Sequence, residues 1–367
     1  MKKQLVALAV TAAMTGGVHA AQVSLSGTLD VGVMVQHLDH KTTTSMESGM
    51  NEFSCIDLRT SENVNSDLKV GLYLSQALTV DNGMLDTENR LFDLVELSVQ
   101  TTWGDVFAGR LGSLKGPDGD MSLFSAVQGF SPMGSNLPNT GLAGIMTTDG
   151  ILNNAIGYRS PVFHGHRLSL QYSNGVSTEV GQAAKDDRHL TAGLAYNNGG
   201  RLRYGVIMSY RTHNTVSADQ KASKDITASF NYDFDAFRLY VTYQHAWDGL
   251  GPNTFLKASA FGFDSDTKGF KTDALMIGAA IPVWGGTLST VVQGSHSKYD
   301  GQVKAGQVDS GWRINPGAIY RYPLSKRTTL WASASWSHGW QMYKQVKGGM
   351  YAEPNTTTWG AGITYTF

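Results

Sequence analysis

The chain comprises 367 residues, with 29 Lys and Arg against 30 Asp and Glu, a formal net charge of −1 and a single cysteine, Cys55. No basic field points to nucleic acid, an internal disulfide is excluded, and no cysteine and histidine spacing of the zinc-site kind occurs. Charged residues make up 16%, below the roughly 25% of soluble domains, and nothing in the pattern calls for a cofactor.

The first twenty residues, MKKQLVALAVTAAMTGGVHA, combine two lysines, an apolar run too short for a comfortable span and a small-residue site. This predicts a secretory signal peptide cleaved after Ala20, with residues 21–367 as the mature domain. Removing Lys2 and Lys3 leaves 27 basic against 30 acidic residues, a formal charge of about −3. The rest is rich in glycine (42, against nine prolines) and contains no apolar run of about 18 residues. An exported chain poor in charge and without a candidate transmembrane helix fits an all-β transmembrane barrel, whose strands show lipid one side chain in two.

Period-2 alternation then runs from end to end. In QVSLSGTLDVGVMVQ, residues 22–36, Val23, Leu25, Leu29, Val31, Val33 and Val35 share one face and Ser24, Ser26, Thr28, Asp30 and Gln36 the other. The pattern predicts sixteen antiparallel strands near 22–36, 52–62, 66–77, 91–103, 104–112, 151–160, 166–176, 188–198, 200–212, 223–234, 236–247, 270–282, 285–297, 310–322, 327–340 and 357–367. Short links such as 63–66, 103–105 and 284–286 alternate with long ones at 37–51, 78–90, 113–150 and onward. That asymmetry is the one expected of periplasmic turns and extracellular loops. Tyr and Trp cluster at strand ends, for example Trp247, Trp284, Trp336, Trp340 and Trp359, as interfacial girdles require.

The second parity is polar. A barrel of sixteen strands encloses water, so those residues are solvated and the interior conducts water-soluble solutes. The 113–150 segment, SLKGPDGDMSLFSAVQGFSPMGSNLPNTGLAGIMTTDG, is long and strandless, which favours a functional role. Folded into the lumen, it would bring Asp118, Asp120 and Asp149 towards inward arginines, of which Arg59, Arg110 and Arg159 lead, with Arg167, Arg203, Arg238, Arg313 and Arg321 behind them. Opposed charges in a narrow opening would act on passing ions and dipoles.

These segments carry a resemblance. SLSGTLDVGV after the leader, SCIDLRTSENVNSDLKVGLYLSQAL, LFDLVELSVQTTWGDVFAGRLGS before the long loop, NNAIGYRSPVFHGHRLSLQYSNG after it and GAGITYTF at the end are together similar to the Gram-negative general porins of the proteobacterial, neisserial type. The resemblance runs along the mature chain. It implies a cell outer-membrane, homotrimeric, sixteen-stranded barrel for passive diffusion of small hydrophilic solutes and ions, with the third extracellular loop as constriction. It also implies that Arg59 and Arg110 occupy family arginine positions, and that Phe367 with Tyr365 is read by the barrel-assembly machinery. The chain departs from the family at Cys55, where another arginine is common, around Asp93 and Leu94, where one or two are common, and at Asp57 and Thr60, which replace glycines. With Asp57 and Glu96 also inward, selectivity is expected to be weak or to lean towards cations.

A substrate-specific channel would show a track of lumenal aromatics, and inward Tyr73, Tyr240 and Trp331 are few and dispersed. A barrel enzyme would need a nucleophile motif and a supported histidine. The ten histidines are scattered, and HGH at 164–166 reads as a turn. The last residues, TTWGAGITYTF, read as the strand that must pair with residues 22–36 so that no edge meets lipid.

Overall fold

The computed structural model describes residues 22–38, 41–85, 91–123, 142–175, 187–217, 219–263, 268–346 and 355–367. The leader, the middle of the 113–150 segment and parts of other long connections lie outside the described residues. Through the first half of the chain the strands are β1 (Gln22–Leu38), β2 (Lys41–Ser48), β3 (Cys55–Asn65), β4 (Leu68–Ala77), β5 (Leu94–Thr101), β6 (Gly104–Gly112), β7 (Ile151–Arg159), β8 (His166–Asn174) and β9 (Arg188–Asn197). The second half adds β10 (Leu202–Arg211), β11 (Ser223–Asp233), β12 (Arg238–Gly249), β13 (Phe270–Val283), β14 (Gly286–Tyr299), β15 (Ser310–Pro323), β16 (Thr328–Gly339) and β17 (Thr356–Thr366).

Every neighbouring pair is antiparallel, and the sheet closes. β17 pairs with β1 from Thr28 opposite Thr366 to His37 opposite Thr357. The backbones of Gly27 and Phe367 exchange hydrogen bonds of 3.2 and 3.0 Å at the end of that seam. The expected terminal pairing is therefore present, and it removes the edge that hydrocarbon would not tolerate.

Among the described residues, seventeen strands fill sixteen positions of the wall. β3 pairs with the first half of β1, from Gln22 to Thr28, while β2 pairs with the second half, from Val31 to Leu38. They are two pieces of one wall strand, separated by residues 49–54. The sequence KTTTSMES of β2 is polar on both parities and most of it is exposed on both. It was therefore invisible to a search for one apolar face, and the expected 37–51 loop contains a strand.

The usual inside-out rule is inverted, as it must be when the outer solvent is lipid. Val33, Leu97, Ile156, Leu190, Met208, Ile277, Val292 and Ile363 are exposed, whereas Ser98, Ser169, Gln171, Thr191, Asn231, Thr242, Gln293 and Asn315 are buried on the inner face. Exposed Trp103 and Trp284 mark the short-turn end of the barrel, and Trp247, Trp312, Trp340 and Trp359 the long-loop end. These are the two girdles.

Two groups of apolar side chains pack inside or at the mouth. One runs from Met34 and Met50 through Leu114, Met121, Leu123, Ile145 and Met146 to wall residues such as Phe107, Ile207 and Met276. The other joins Leu256, Phe261, Phe263, Phe270, Tyr299, Met342 and Tyr343 at the long-loop end. Tyr343, in the short 3-10 turn Gln341–Gln345, lies 3.1 Å from the inward Ser297 hydroxyl.

Candidate functional site

The described ends of the long segment after β6 run along the inner wall. Glu96, on the inward parity of β5, is buried, and its two carboxylate oxygens accept from the backbone N–H groups of Gly112 at 3.0 Å and Asp120 at 2.9 Å. Gln171 of β8 donates to Gly112 O at 2.8 Å. The approach is too close for side chains. A Cβ on Gly119, whose φ is 85°, would sit 2.5 Å from Glu96 Oε1, and one on Gly112 would overlap the carbonyl of Asp118. Glycine supplies both the positive φ and the clearance.

From that anchor Asp120 reaches Arg59 of β3. One guanidinium nitrogen lies 2.8 Å from a carboxylate oxygen, and the guanidinium stacks 3.5 Å over the Tyr73 ring. Both side chains remain partly open to the lumen, at 43% and 31% exposure. Arg159 of β7 donates to Asp120 O at 2.6 Å and pairs with Asp105 of β6 at 2.8 Å. Arg110 turns away from the long segment. It bonds Asn153 Oδ1 and pairs with Asp93 at 3.4 Å.

A second anchor holds the other end. Lys115 is 1% exposed, with its ammonium 2.8 Å from Asp149 and 2.6 Å from Asp225 of β11, while His189 of β9 lies 3.3 Å from Asp149. Burial alone would raise the pKa of Asp149, but Lys115 and His189 more than offset it and hold the carboxyl below its usual range. Burial would likewise depress Lys115, yet the two carboxylates raise it, so it stays charged. Thr147 donates backbone N–H and hydroxyl to Gln244 Oε1 of β12 at 2.7 and 3.0 Å, and Asn253 donates to Gly144 O at 2.7 Å.

Asp118 has another environment. It lines a cavity of about 450 Å³ with Glu52, Asp57, Asp93, Asp120 and Arg59. Burial first, then the like charges of Asp93, Asp57 and Glu96, push its carboxyl up to about 6. Glu52 is also raised by burial, partly offset by Arg321. On the other side of the Arg59–Asp120 pair, a pocket of about 240 Å³ is lined by Gln22, Ser24, Lys69, Ser98 and Gln100. Four further carboxylates, Glu52, Asp57, Asp93 and Asp118, stand on the long-loop side of the pair, and the residues added on the short-turn side are neutral or basic.

The expected site residues thus divide by what they touch. Arg59, Arg159 and Asp120 meet. Asp118 and Asp57 share the acidic cavity, Asp149 is held by Lys115 and His189, Glu96 holds backbone, and Arg110 supports β5 and β7. Lys115, Tyr343 and the 49–54 segment were not singled out from sequence. A lone loop lysine signals solvent, and nothing local marks its burial.

Closed barrel, polar lumen and apolar exterior leave one class open, and comparison decides it. The sequence profile of the Gram-negative porins matches residues 7–341. The chain belongs to the Gram-negative porin family. An outer membrane porin protein of Bordetella pertussis is 25% identical over the whole of both chains, and outer membrane porin protein 32 of Delftia acidovorans is 27% identical over the whole of both. The solved anion-selective porin from Comamonas acidovorans superposes with a TM-score of 0.67 at 21% identity, covering 95% of this chain and all of that one. This porin is an outer-membrane channel for the passive diffusion of solutes, and not an enzyme. His166 of the HGH turn is bonded to Tyr204 Oη at 2.7 Å, as a girdle residue.

Proposed function

We propose that the 113–150 segment is the constriction of this channel and that its narrowest charged gate is the Arg59–Asp120 pair. The observation that carries the reading is the 2.8 Å contact between two half-open side chains 61 residues apart, one on the wall and one on the segment. Small hydrophilic solutes and ions pass beside it. The acidic cavity on the long-loop side supports a cation-leaning outer vestibule, in contrast to the anion selectivity stated for the Comamonas relative. Low-dielectric walls make such charge count for more than it would in bulk water.

The working unit is a homotrimer in the lipid of the outer membrane, with the leader cleaved after Ala20 and with Phe367 and Tyr365 read by the barrel-assembly machinery. The family resemblance supports these three readings. Single-channel recording of the purified protein in a planar bilayer tests the first. Closure in three equal steps and a K⁺ over Cl⁻ preference are expected. Single-step closure would overturn the trimer, and clear anion preference would overturn the acidic vestibule.

A further inference from the structure

The inner wall of β8 to β12 carries arginines that the constriction does not use. Arg203 is the second residue of β10, on the inward parity between exposed Leu202 and half-buried Tyr204. It is 8% exposed, and its Nε and Nη1 are buried without a hydrogen-bond partner. Among the described residues no carboxylate is paired with it. A guanidinium stays charged at any working pH, so this is a largely buried cation with two donors left without a partner.

Its neighbours explain why the wall does not satisfy it. In register, Arg203 stands opposite Asn231 of β11, and Asn231 opposite Tyr240 of β12. The Asn231 Oδ1 nearest to it accepts instead from Arg238 at 2.8 Å, and Arg238 also takes Asp233 at 2.7 Å. Asp233, the acid at the end of β11, is therefore committed to Arg238, which ties β11 to β12, and Asp235 of the turn is paired with Arg201. On the other flank, Arg167 of β8 stands opposite Ala195 of β9, which stands opposite Gly205 of β10. Arg167 and Arg203 are thus two strands apart, roughly 10 Å by strand spacing. Arg167 Nε too is buried and without a partner. All of these residues sit within a few positions of the short turns 160–165, 198–201 and 234–237, at the end of the lumen opposite the acidic cavity.

We propose that Arg167, Arg203 and Arg238, with the phenol of Tyr240, form a station for the oxyanion group of a solute in transit, a carboxylate or a phosphate, at the short-turn mouth. The inference goes beyond the constriction reading and does not depend on it. Planar guanidinium forks match both oxyanions in a bidentate manner. Arg203 is the determinant because its donors are the ones the wall leaves unmatched, whereas Arg238 is already spent on structure. An oxyanion between Arg203 and Arg167 meets two positive charges, while the nearby acids Asp233 and Asp105 are paired with Arg238 and Arg159. A site on an open wall releases what it holds, as conduction requires.

The test is chloride conductance of the full porin in planar bilayers at fixed pH and ionic strength, with inorganic phosphate or acetate added to one side at a time. Phosphate on the short-turn side should reduce the conductance saturably. Arg203→Gln should raise the half-effect concentration at least ten-fold, Arg203→Lys should raise it less, and Arg201→Gln, an exposed turn residue paired with Asp235, should leave it unchanged. Effects of both anions support an oxyanion station in general, and an effect of phosphate alone narrows it to phosphorylated solutes. Insensitivity of the unmodified porin to both, or an Arg203→Gln response equal to the original, overturns the proposal. Should the glutamine variant not insert, Arg203→Lys and calorimetric titration of the unmodified porin in detergent with phosphate decide, and no heat of binding overturns it. Absence of any conductance would instead count against the channel itself.

Discussion

Arg59 and Asp120 lie 2.8 Å apart across the space between β3 and the segment after β6, and Tyr73 supports the guanidinium from below at 3.5 Å. The pair lines both the acidic cavity and the neutral or basic pocket on the other side. Half-open ion pairs contribute little stability, about 0–1 kcal/mol, and their charge acts mainly on ions. Arg59→Gln should therefore shift selectivity further towards K⁺ and Asp120→Asn towards Cl⁻, read as reversal potentials of opposite sign in a KCl gradient. Thermal unfolding should move little in either. A large loss of stability with unchanged selectivity would show the pair to be structural.

Lys115 presents the opposite case. It is buried between Asp149 and Asp225, and removing one partner of a buried ionic cluster leaves uncompensated charge, at a cost of about 3–5 kcal/mol. Lys115→Met should lower the thermal unfolding midpoint clearly and release the segment from β11, so that open-channel current becomes noisier. The double variant with Asp225→Asn should recover part of the loss. Equal stability of Lys115→Met and the original would exclude the cluster as an anchor.

Asp118 makes a pH prediction. Its carboxyl is held up to about 6 by burial and by Asp93, Asp57 and Glu96. It is charged at pH 7 and neutral at pH 5, so K⁺ preference should fall as pH falls through 6, and Asp118→Asn should flatten that step. The sign for stability is the reverse of the usual carboxylate. The folded form binds this proton more tightly than the unfolded chain, so acidification between about 6 and the ordinary value near 4 adds stability. A selectivity step at pH 6 that survives in Asp118→Asn would refute the assignment.

Much of the fold was legible because β alternation is a one-dimensional signal. Reading every second residue placed Arg59, Arg159, Arg203 and Glu96 inward without any knowledge of partners. The partners themselves were not legible. Asp120 meets Arg59 across 61 positions, and Lys115 meets Asp225 across 110, and nothing local records such distances. Arg110 illustrates the limit, since a bulge between Gly109 and Leu111 sets it opposite Val95, off the expected inward parity, and commits it to Asp93 and Asn153. β2 escaped for another reason. Its sequence, KTTTSMES, has a single apolar residue, Met46, so the alternation that betrays its neighbours is missing.

The end of the chain makes its own prediction. Phe367 exchanges two backbone hydrogen bonds with Gly27, and its ring lies 6.3 Å from that of Tyr365, nearly parallel to it. Deleting Phe367 removes one bonded pair at the seam. In cells, the yield of heat-resistant assembled barrel should fall more than the stability of barrel refolded in detergent. Equal losses in both would reduce the residue to an ordinary member of the strand.

Deeper in the same seam, Asp30 of β1 is fully buried and gathers three strands and one insertion. Trp331 of β16 donates its indole N–H to Asp30 Oδ2 at 2.8 Å, Thr364 of β17 donates its hydroxyl to the same oxygen, and the backbone N–H of Asn51 donates to Oδ1 at 3.1 Å. Asn51 then accepts from Arg321 of β15 at 2.6 Å. Removing the acceptor leaves several buried donors unmatched, each worth about 1–3 kcal/mol. Asp30→Ala should therefore destabilise the closed barrel by about 2–4 kcal/mol and free the 49–54 segment from the wall. Trp331→Phe keeps the ring and deletes one donor, so its cost should be smaller, near 1 kcal/mol. Denaturant or thermal unfolding of the two variants, with the double variant to close the cycle, measures the coupling directly. Coupling near zero would mean that the node holds the seam by packing alone.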